Sequence, residues 1–188
     1  MIIQADLATP DAAAALWNEA VAWRGRVDVV VNNAAIMPEV GIEDAEADWE
    51  DALAAAFAIN VMAPAVLIRL AAQHFIANGG GVLITMSSWA AHRGSGNPKL
   101  AAYAASKAAL AAVTKTMARA HARDGVLGYC IAPGTVRTDM SVRSACNQGG
   151  EDAVTASLTM GEWVPPREVA DLVAFLASGT RRHLSGAT

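Results

Sequence analysis

The sequence predicts an α/β fold built on a doubly wound parallel sheet, and three observations carry that reading. Four short apolar or β-branched runs, "MIIQAD", "VDVVVNN", "GVLITMSS" and "VLGYCIAP", lack polar alternation and so suit strands buried on both faces. Helical stretches separate them, and the alternation of strand, helix and strand implies right-handed crossovers and a sheet covered on both sides. With 188 residues and 54% hydrophobic composition, the chain is of single-domain size. It can bury about 70% of its unfolded surface.

The elements follow in order. Residues 1 to 6 read as the first strand. Thr9 then Pro10 is an N-cap with proline in the first turn, opening a helix through Trp23 that stops before Gly25. The second strand exits into Asn32, Asn33, Ala34 and Ala35. A helical region from about Glu46 to Ala77 is expected to bend near Pro64, which removes a backbone donor and crowds the preceding turn. The third strand exits into Ser87 and Ser88, and a helix from about Lys99 to Arg123 ends before Gly125. The fourth strand exits into Pro133 and Gly134. Residues 139 to 165 mix Ser, Asn, Gly, Asp and Glu before "VPP" and read as a loop or short helical excursion. A final helix runs from Pro166 to Ala177. No repeat or linker divides the chain, so residues 1–188 are read as one domain.

Charge and composition exclude several classes. The net charge is -4, and no basic run extends beyond Arg181 and Arg182, which argues against nucleic-acid binding. The start "MIIQADLATPD" has no basic leader, and "VMAPAVLIRLAAQHFI" is interrupted by Pro64 and Arg69, against secretion and membrane spanning. Cys130 and Cys146 form no CxxC pair, and His74, His121 and His183 have no carboxylate or cysteine companions at ligand spacing. No metal site is expected, and a reducing cytoplasm is the default compartment.

Chemistry concentrates in "YAASKAAL", residues 103 to 110. On a helix, positions four apart share a face, so the Tyr103 phenol and the Lys107 ammonium can share a space. A positive charge ~4 Å from the phenol at an effective dielectric of ~20 favours phenolate by up to ~4 kcal/mol, or roughly three pKa units. That would bring tyrosine into the range of a general acid/base. Lysine is common enough that any tyrosine has one at the fourth place in roughly one case in twenty, so the pair alone identifies nothing. Its setting says more. In a parallel open sheet, ligands bind beyond the carboxyl ends of the strands, and the Asn-Asn, Ser-Ser and Pro-Gly exits all lie at that rim.

These motifs together resemble the short-chain dehydrogenase/reductase family in its compact single-domain form. "NNAA" at 32 to 35 is similar to the family's Asn-Asn-Ala-Gly, "IN" at 59 to 60 to its asparagine site, "SS" followed by "YAASK" to its catalytic core, and "IAPGTVRT" at 131 to 138 to its Pro-Gly segment. The resemblance implies a Rossmann-like fold and an NAD- or NADP-dependent oxidoreductase acting on a small-molecule secondary alcohol or ketone. It implies catalytic roles for Ser88, Tyr103 and Lys107, with Asn60 holding a proton-relay water; Ser87 is the competing serine. Cofactor contacts are implied for Asp6 (adenine), Asn33, Ala34, Ala35, Tyr103, Lys107, Pro133, Gly134, Val136 and Thr138. The span from Ser88 to Tyr103 is two residues longer than the family commonly shows, so "RGSGNPKL" is expected to bulge outward. Trp89 and His92 could line a pocket or simply pack. Homo-oligomerisation is implied by the same likeness.

The sequence also departs from the family. No strand, Gly-rich turn and helix is present to receive a pyrophosphate, because Gly79, Gly80 and Gly81 precede a strand and "RGSGNP" enters the wrong part of the fold. The expected sheet is therefore truncated, with the first strands missing and an end at "LSGAT" before the last strand. Dinucleotide binding is expected to be weak, and the feature separating NAD from NADP falls outside the sequence. An alternative reading is a truncated, non-catalytic packing or interaction module. Residues 1 to 8, lacking a neighbouring strand, are expected to be displaced, disordered or paired with another copy.

Overall fold

The computed structural model describes residues 1–188. Residues 1–132 and 176–188 gather into one compact unit, and residues 133–175 into a second. The first unit is built on three parallel strands, β1 (Val29–Asn32), β2 (Gly81–Met86) and β3 (Val126–Ile131), in the order β1-β2-β3. The register sets Val30 beside Leu83 and Leu83 beside Gly128. Because side chains alternate, Val30, Asn32, Leu83, Thr85, Gly128 and Cys130 share one face, and Val31, Val82 and Tyr129 lie on the other.

Helices α3 (Ala63–Ala77) and α5 (Ala101–Ala120) connect β1 to β2 and β2 to β3. The strands progress in one direction, so right-handed crossovers put both helices on the same face. Helix α1 (Ala12–Arg24) packs against α3. The core under these helices contains Trp17, Ile68, Phe75, Leu83, Leu110 and Val126. Two glycines let the helices lie close. A Cβ on Gly81 would stand 2.3 Å from a Phe75 ring carbon, and one on Gly128 would stand 2.7 Å from the Ala118 Cβ. Between them, the buried hydroxyls of Thr85 and Thr114 are hydrogen-bonded at 2.7 Å, tying α5 to β2.

Residues 176–188 cover the other face and the outer edge of β3. The Tyr129 hydroxyl donates to the Arg181 carbonyl at 2.9 Å. The Gly186 N–H donates to the Gly128 carbonyl at 2.8 Å, and the Cys130 N–H to the Ala187 carbonyl at 3.1 Å. No strand borders the outer edge of β1, and Val31 there is 42% exposed.

Three expectations need correction. Residues 1 to 6 form no strand, and Ile2 is 99% exposed. The Asp6 carbonyl accepts the Thr9 N–H at 3.0 Å and its carboxylate accepts the Ala8 N–H at 3.0 Å, so the backbone turns at once, with no strand beside it to pair. Helix α1 starts at Ala12 after Asp11, whose φ is 66°. Thr9 instead accepts the Ala12 N–H through its carbonyl, leaving Pro10 in the turn ahead of the helix. Ahead of Pro64, where a bend is expected, the helix is interrupted by a π-helical turn, Ala58–Met62, between α2 (Glu46–Phe57) and α3. A proline at residue 64 has no N–H for the carbonyl four residues back, and the extra residue in the turn absorbs that loss. The run Glu46–Ala77 is apolar enough in composition to cross a membrane. Within it, Ile68, Ala71, Ala72 and Phe75 are buried in the core.

The segment read as a loop or helical excursion forms α6 (Asp139–Cys146) and α7 (Glu151–Ser157), and α8 spans Pro166–Ala177 as expected. Within the second unit, Val136 and Val164 form a parallel bridge, and Arg137 pairs with Glu151 at 2.8 Å.

Burial separates two substitutions in this fold. Phe75→Ala removes a fully buried ring and is expected to cost about 3–5 kcal/mol. Ile2→Ser changes an exposed side chain and is expected to stay within about 0.5 kcal/mol. Urea midpoints of the two variants check both; a comparable loss for Ile2→Ser would mean that the first residues are part of the core.

Candidate active site

The strand exits set the site. Beyond β1, Asn33 and Ala34 are exposed; beyond β2, Ser87 is buried and Ser88 half-buried. The chain then forms a short helix, α4 (Ala90–Arg93), passes through residues 94–97, and enters a 3₁₀ turn, Pro98–Leu100. The Asn97 side chain caps that turn by accepting the Lys99 N–H at 3.0 Å. This excursion returns the backbone to start α5, with Tyr103 in the first turn and Lys107 one turn on.

Ser88 and Tyr103, fifteen positions apart, come together, close enough for the Ser88 hydroxyl to favour the phenolate. The Lys107 Nζ stands 5.8 Å from the Tyr103 ring centroid and donates to the Met86 carbonyl at 2.8 Å. Ser87 has a different partner, donating to the Lys107 carbonyl at 3.4 Å. Ser87 thus serves the seam between helix and sheet, whereas Ser88 meets the phenol.

Asn60 lies fully buried in the π turn. Its Oδ1 accepts the Ile36 N–H at 2.8 Å, and its Nδ2 donates to the Ile36 carbonyl at 2.9 Å and to Ser106 Oγ at 3.0 Å. Ser106 in turn donates to the Tyr103 carbonyl at 2.7 Å. The amide therefore locks the segment after β1 and the first turn of α5 into one network. Ser106 and the Met86 carbonyl had no place in the sequence reading. The pointer to Ser106 was a hydroxyl among alanines, adjacent to Lys107 on α5; a backbone acceptor leaves no sequence signal.

The electrostatics reverse one expectation. Burial pushes the Tyr103 phenol above its ordinary pKa, opposed by the Ser88 hydroxyl. Lys107 does not depress it, because the ammonium is directed to the Met86 carbonyl. Burial also lowers Lys107 itself, to about 8. The two groups are thus drawn toward their neutral forms.

Other predicted residues stand apart. Asp6 lines an open depression of about 250 Å³ with Ile3, Ala5, Ala12 and Leu16, and this depression contains none of Asn60, Ser88, Tyr103 or Lys107. In the second unit, Val136 belongs to the bridge with Val164, and Thr138 caps α6 by accepting the Ser141 N–H at 3.3 Å. Pro133 is half-buried there and Gly134 exposed. No group of three or more His, Cys, Asp or Glu side chains could hold a metal.

Residues 1–188 match the family model described as enoyl-(acyl carrier protein) reductase. The chain is 30% identical over 188 residues to 2-dehydro-3-deoxy-D-gluconate 5-dehydrogenase of Escherichia coli (strain K12), covering 99% of this chain and 72% of that protein. It is 32% identical over 171 residues to dehydrogenase/reductase SDR family member 4 of Homo sapiens, covering 90% and 59%. Among solved structures, a short chain dehydrogenase/reductase family protein superposes with a TM-score of 0.80 at 31% identity, covering 98% of this chain and 72% of that one. A 3-oxoacyl (acyl-carrier-protein) reductase from Agrobacterium tumefaciens C58, with NADP bound, gives 0.84 at 29% identity, covering 96% and 69%.

The Lys107 environment has a measurable consequence. Folding lowers this pKa from 10.5 to about 8, so the unfolded chain holds the proton more tightly between those values and stability rises with pH through that window. The gain is at most about 3 kcal/mol, and Lys107→Met should lack it. Denaturant titrations of both chains from pH 7.5 to 9.5 measure the difference, and a side-chain NMR titration of Lys107 should show a midpoint near 8. A midpoint above 10 would contradict this account of the buried amine.

Proposed function

The chain belongs to the short-chain dehydrogenase/reductase family, whose fold is that of an NAD(P)-binding oxidoreductase, and on that premise we propose that it interconverts a secondary alcohol and a ketone with Tyr103 as acid/base. The observation that carries this reading is the approach of the Ser88 hydroxyl to the Tyr103 phenol, with the Lys107 amine 5.8 Å from the phenol ring centroid.

In the proposed reaction the Ser88 hydroxyl donates to the substrate oxygen, where negative charge develops during reduction. Tyr103 gives its proton to that oxygen in reduction and takes it back in oxidation. Its raised pKa keeps it protonated at neutral pH, which suits the reducing direction. Lys107 carries three N–H donors when charged, and the Met86 carbonyl uses one. The remaining donors fit a pair of adjacent ribose hydroxyls. Asn60 would hold a relay water through its backbone carbonyl, because its amide is already committed to Ile36 and Ser106 and residue 64, a proline, offers that carbonyl no N–H.

A nicotinamide dinucleotide, when bound, supplies or accepts the hydride at the substrate carbon. The amine and phenol fit its nicotinamide ribose, and family likeness adds Asn33, Ala34, Ala35, Pro133, Gly134, Val136 and Thr138 as lining, with Asp6 toward adenine. Residues 1–188 contain no Gly-rich strand-to-helix turn for the pyrophosphate, so we expect these residues alone to bind weakly. A cytoplasmic setting and homo-oligomerisation complete the proposal.

Tyr103→Phe is expected to reduce NAD(P)H-linked ketone turnover by about 10²–10⁴-fold. Ser88→Ala should lose activity on the same scale, with Ser87→Ala within a few-fold of the original. Steady-state kinetics on the three variants decide, and a larger loss at Ser87 would reassign the serine. Cofactor binding is checked separately by fluorescence titration with NADH and NADPH. Weak binding is expected, and tight saturable binding by the 188-residue chain would overturn that part of the proposal.

A further inference from the structure

One cation beside the site has no anionic partner. Arg93 lies four residues after Trp89, and its guanidinium carbon stands 4.0 Å from the indole ring centroid, a stacked cation–π geometry. It forms no ion pair, whereas the neighbouring Lys99 is held by Glu43 at 3.5 Å and Asp44 at 3.4 Å. The indole is 51% exposed, so the stack faces solvent and is not buried packing.

Its position is tied to the serine. Trp89 is the next residue after Ser88, with Cα atoms about 3.8 Å apart. The turn joining them is tightly bonded. Ser88 Oγ accepts the Ala90 N–H at 3.2 Å, the Ser88 carbonyl accepts the Ala91 N–H at 3.0 Å, and the Ala90 carbonyl accepts the Gly94 N–H at 3.0 Å. Helix α4 also packs against α5, which carries Tyr103 and Lys107. The platform that carries the guanidinium is thus joined directly to the reacting rim through Ser88.

The stretch that supplies the site residues carries charge of one sign. From Ala52 to Arg123 the chain carries seven basic residues and no Asp or Glu, although it holds 18 acidic residues in its 188 positions. At that overall frequency about seven acids would fall in the stretch. Asn60, Ser88, Tyr103 and Lys107 all come from it. A site whose own residues include no carboxylate, bordered by a planar cation without an ion pair, favours an anionic ligand.

We propose that Arg93, stacked on Trp89, is a specificity-determining residue that binds an anionic oxygen group of the substrate, carboxylate or phosphate, and so selects acidic ketones and alcohols over neutral ones. This rests on the oxidoreductase reading above and adds the substrate class to it. The guanidinium donates paired N–H bonds to the anion while the indole limits its rotation, a geometry that lysine cannot reproduce.

The test compares acetoacetate, hydroxyacetone phosphate and the neutral methyl acetoacetate in NAD(P)H-linked reduction. The better of the two anions should exceed the ester in kcat/KM by about tenfold or more, and identify which group is taken. Arg93→Gln should bring the anion-to-ester ratio near one, and Arg93→Lys should restore it only in part. The KM for NAD(P)H should not follow the substitution; if it does, Arg93 serves the dinucleotide and the proposal fails. A preference for the ester, or an unchanged ratio in Arg93→Gln, also overturns it. If none of the three is reduced, the failure belongs to the catalytic reading, and binding decides the charge question. The Trp89 fluorescence, taken as the difference between the original chain and Trp89→Phe, should then change saturably with an anion but not the ester, and not in Arg93→Gln. No charge-selective change would end the proposal.

Discussion

The distance between α5 and the sheet is the constraint on which the rest of the structure depends. Gly128 has no Cβ where Ala118 presses in, and the Thr85–Thr114 hydroxyl bond fixes the helix at that approach. A larger residue at 128 would lift the helix, since backbone and a short side chain cannot yield as the end of a flexible one can. At the rim of the sheet, the same closeness lets Lys107 reach the Met86 carbonyl and Ser87 reach the Lys107 carbonyl. Tyr103 then lies over the exit of β2, close enough to Ser88 to feel its hydroxyl. The site is therefore a consequence of core packing several residues away, carried along a rigid helix.

The two edges of the sheet are treated differently. Residues 185–187 hydrogen-bond along the outer edge of β3, and Ser185 Oγ accepts the Gly128 N–H at 3.1 Å. Beyond β1 no strand is paired, and Val31 is partly exposed on the face away from the helices. An unpaired edge is a row of unused donors and acceptors that can template pairing. Here it is only four residues long, which limits that tendency. The helix-facing side of the same strand is well buried, at Asn32 and through Val30 against the core.

Much of this was legible in the sequence because buried parallel strands and helix ends leave strong local marks. The apolar runs located all three strands to within a few residues, and Gly25 ended α1 in the left-handed conformation, as its position implied. The first run failed for a non-local reason: β-branched residues make a strand only when a neighbour accepts their hydrogen bonds, and Ile2 and Ile3 have none. Pro64 announced a bend but not its form, because an α-helical kink and a π turn answer the missing donor equally well in local terms. The motif residues around Tyr103 were visible as types and spacings. Ser106, which links Asn60 to the Tyr103 backbone, showed only as a hydroxyl among alanines, because its role depends on a contact 46 positions away.

The sign of the phenol shift was not legible either, and the reason lies in what burial does to two charges at once. Spacing alone suggested that the Lys107 ammonium would draw the Tyr103 proton off, which assumes that the pair is close and the amine fully charged. In the folded chain the amine is buried and bound to a carbonyl, and its own affinity for a proton has fallen to about 8. At pH 7 it is still roughly nine-tenths charged by that value, so a cation is present. That charge is directed to the Met86 carbonyl, and the loss of water at the phenol outweighs the opposing Ser88 hydroxyl, so the net shift is upward. A tyrosine in that state is a proton donor before it is an acceptor. Desolvation, set by the close packing of α5, thus decides the resting protonation of the site, and the Ser88 hydroxyl moderates it.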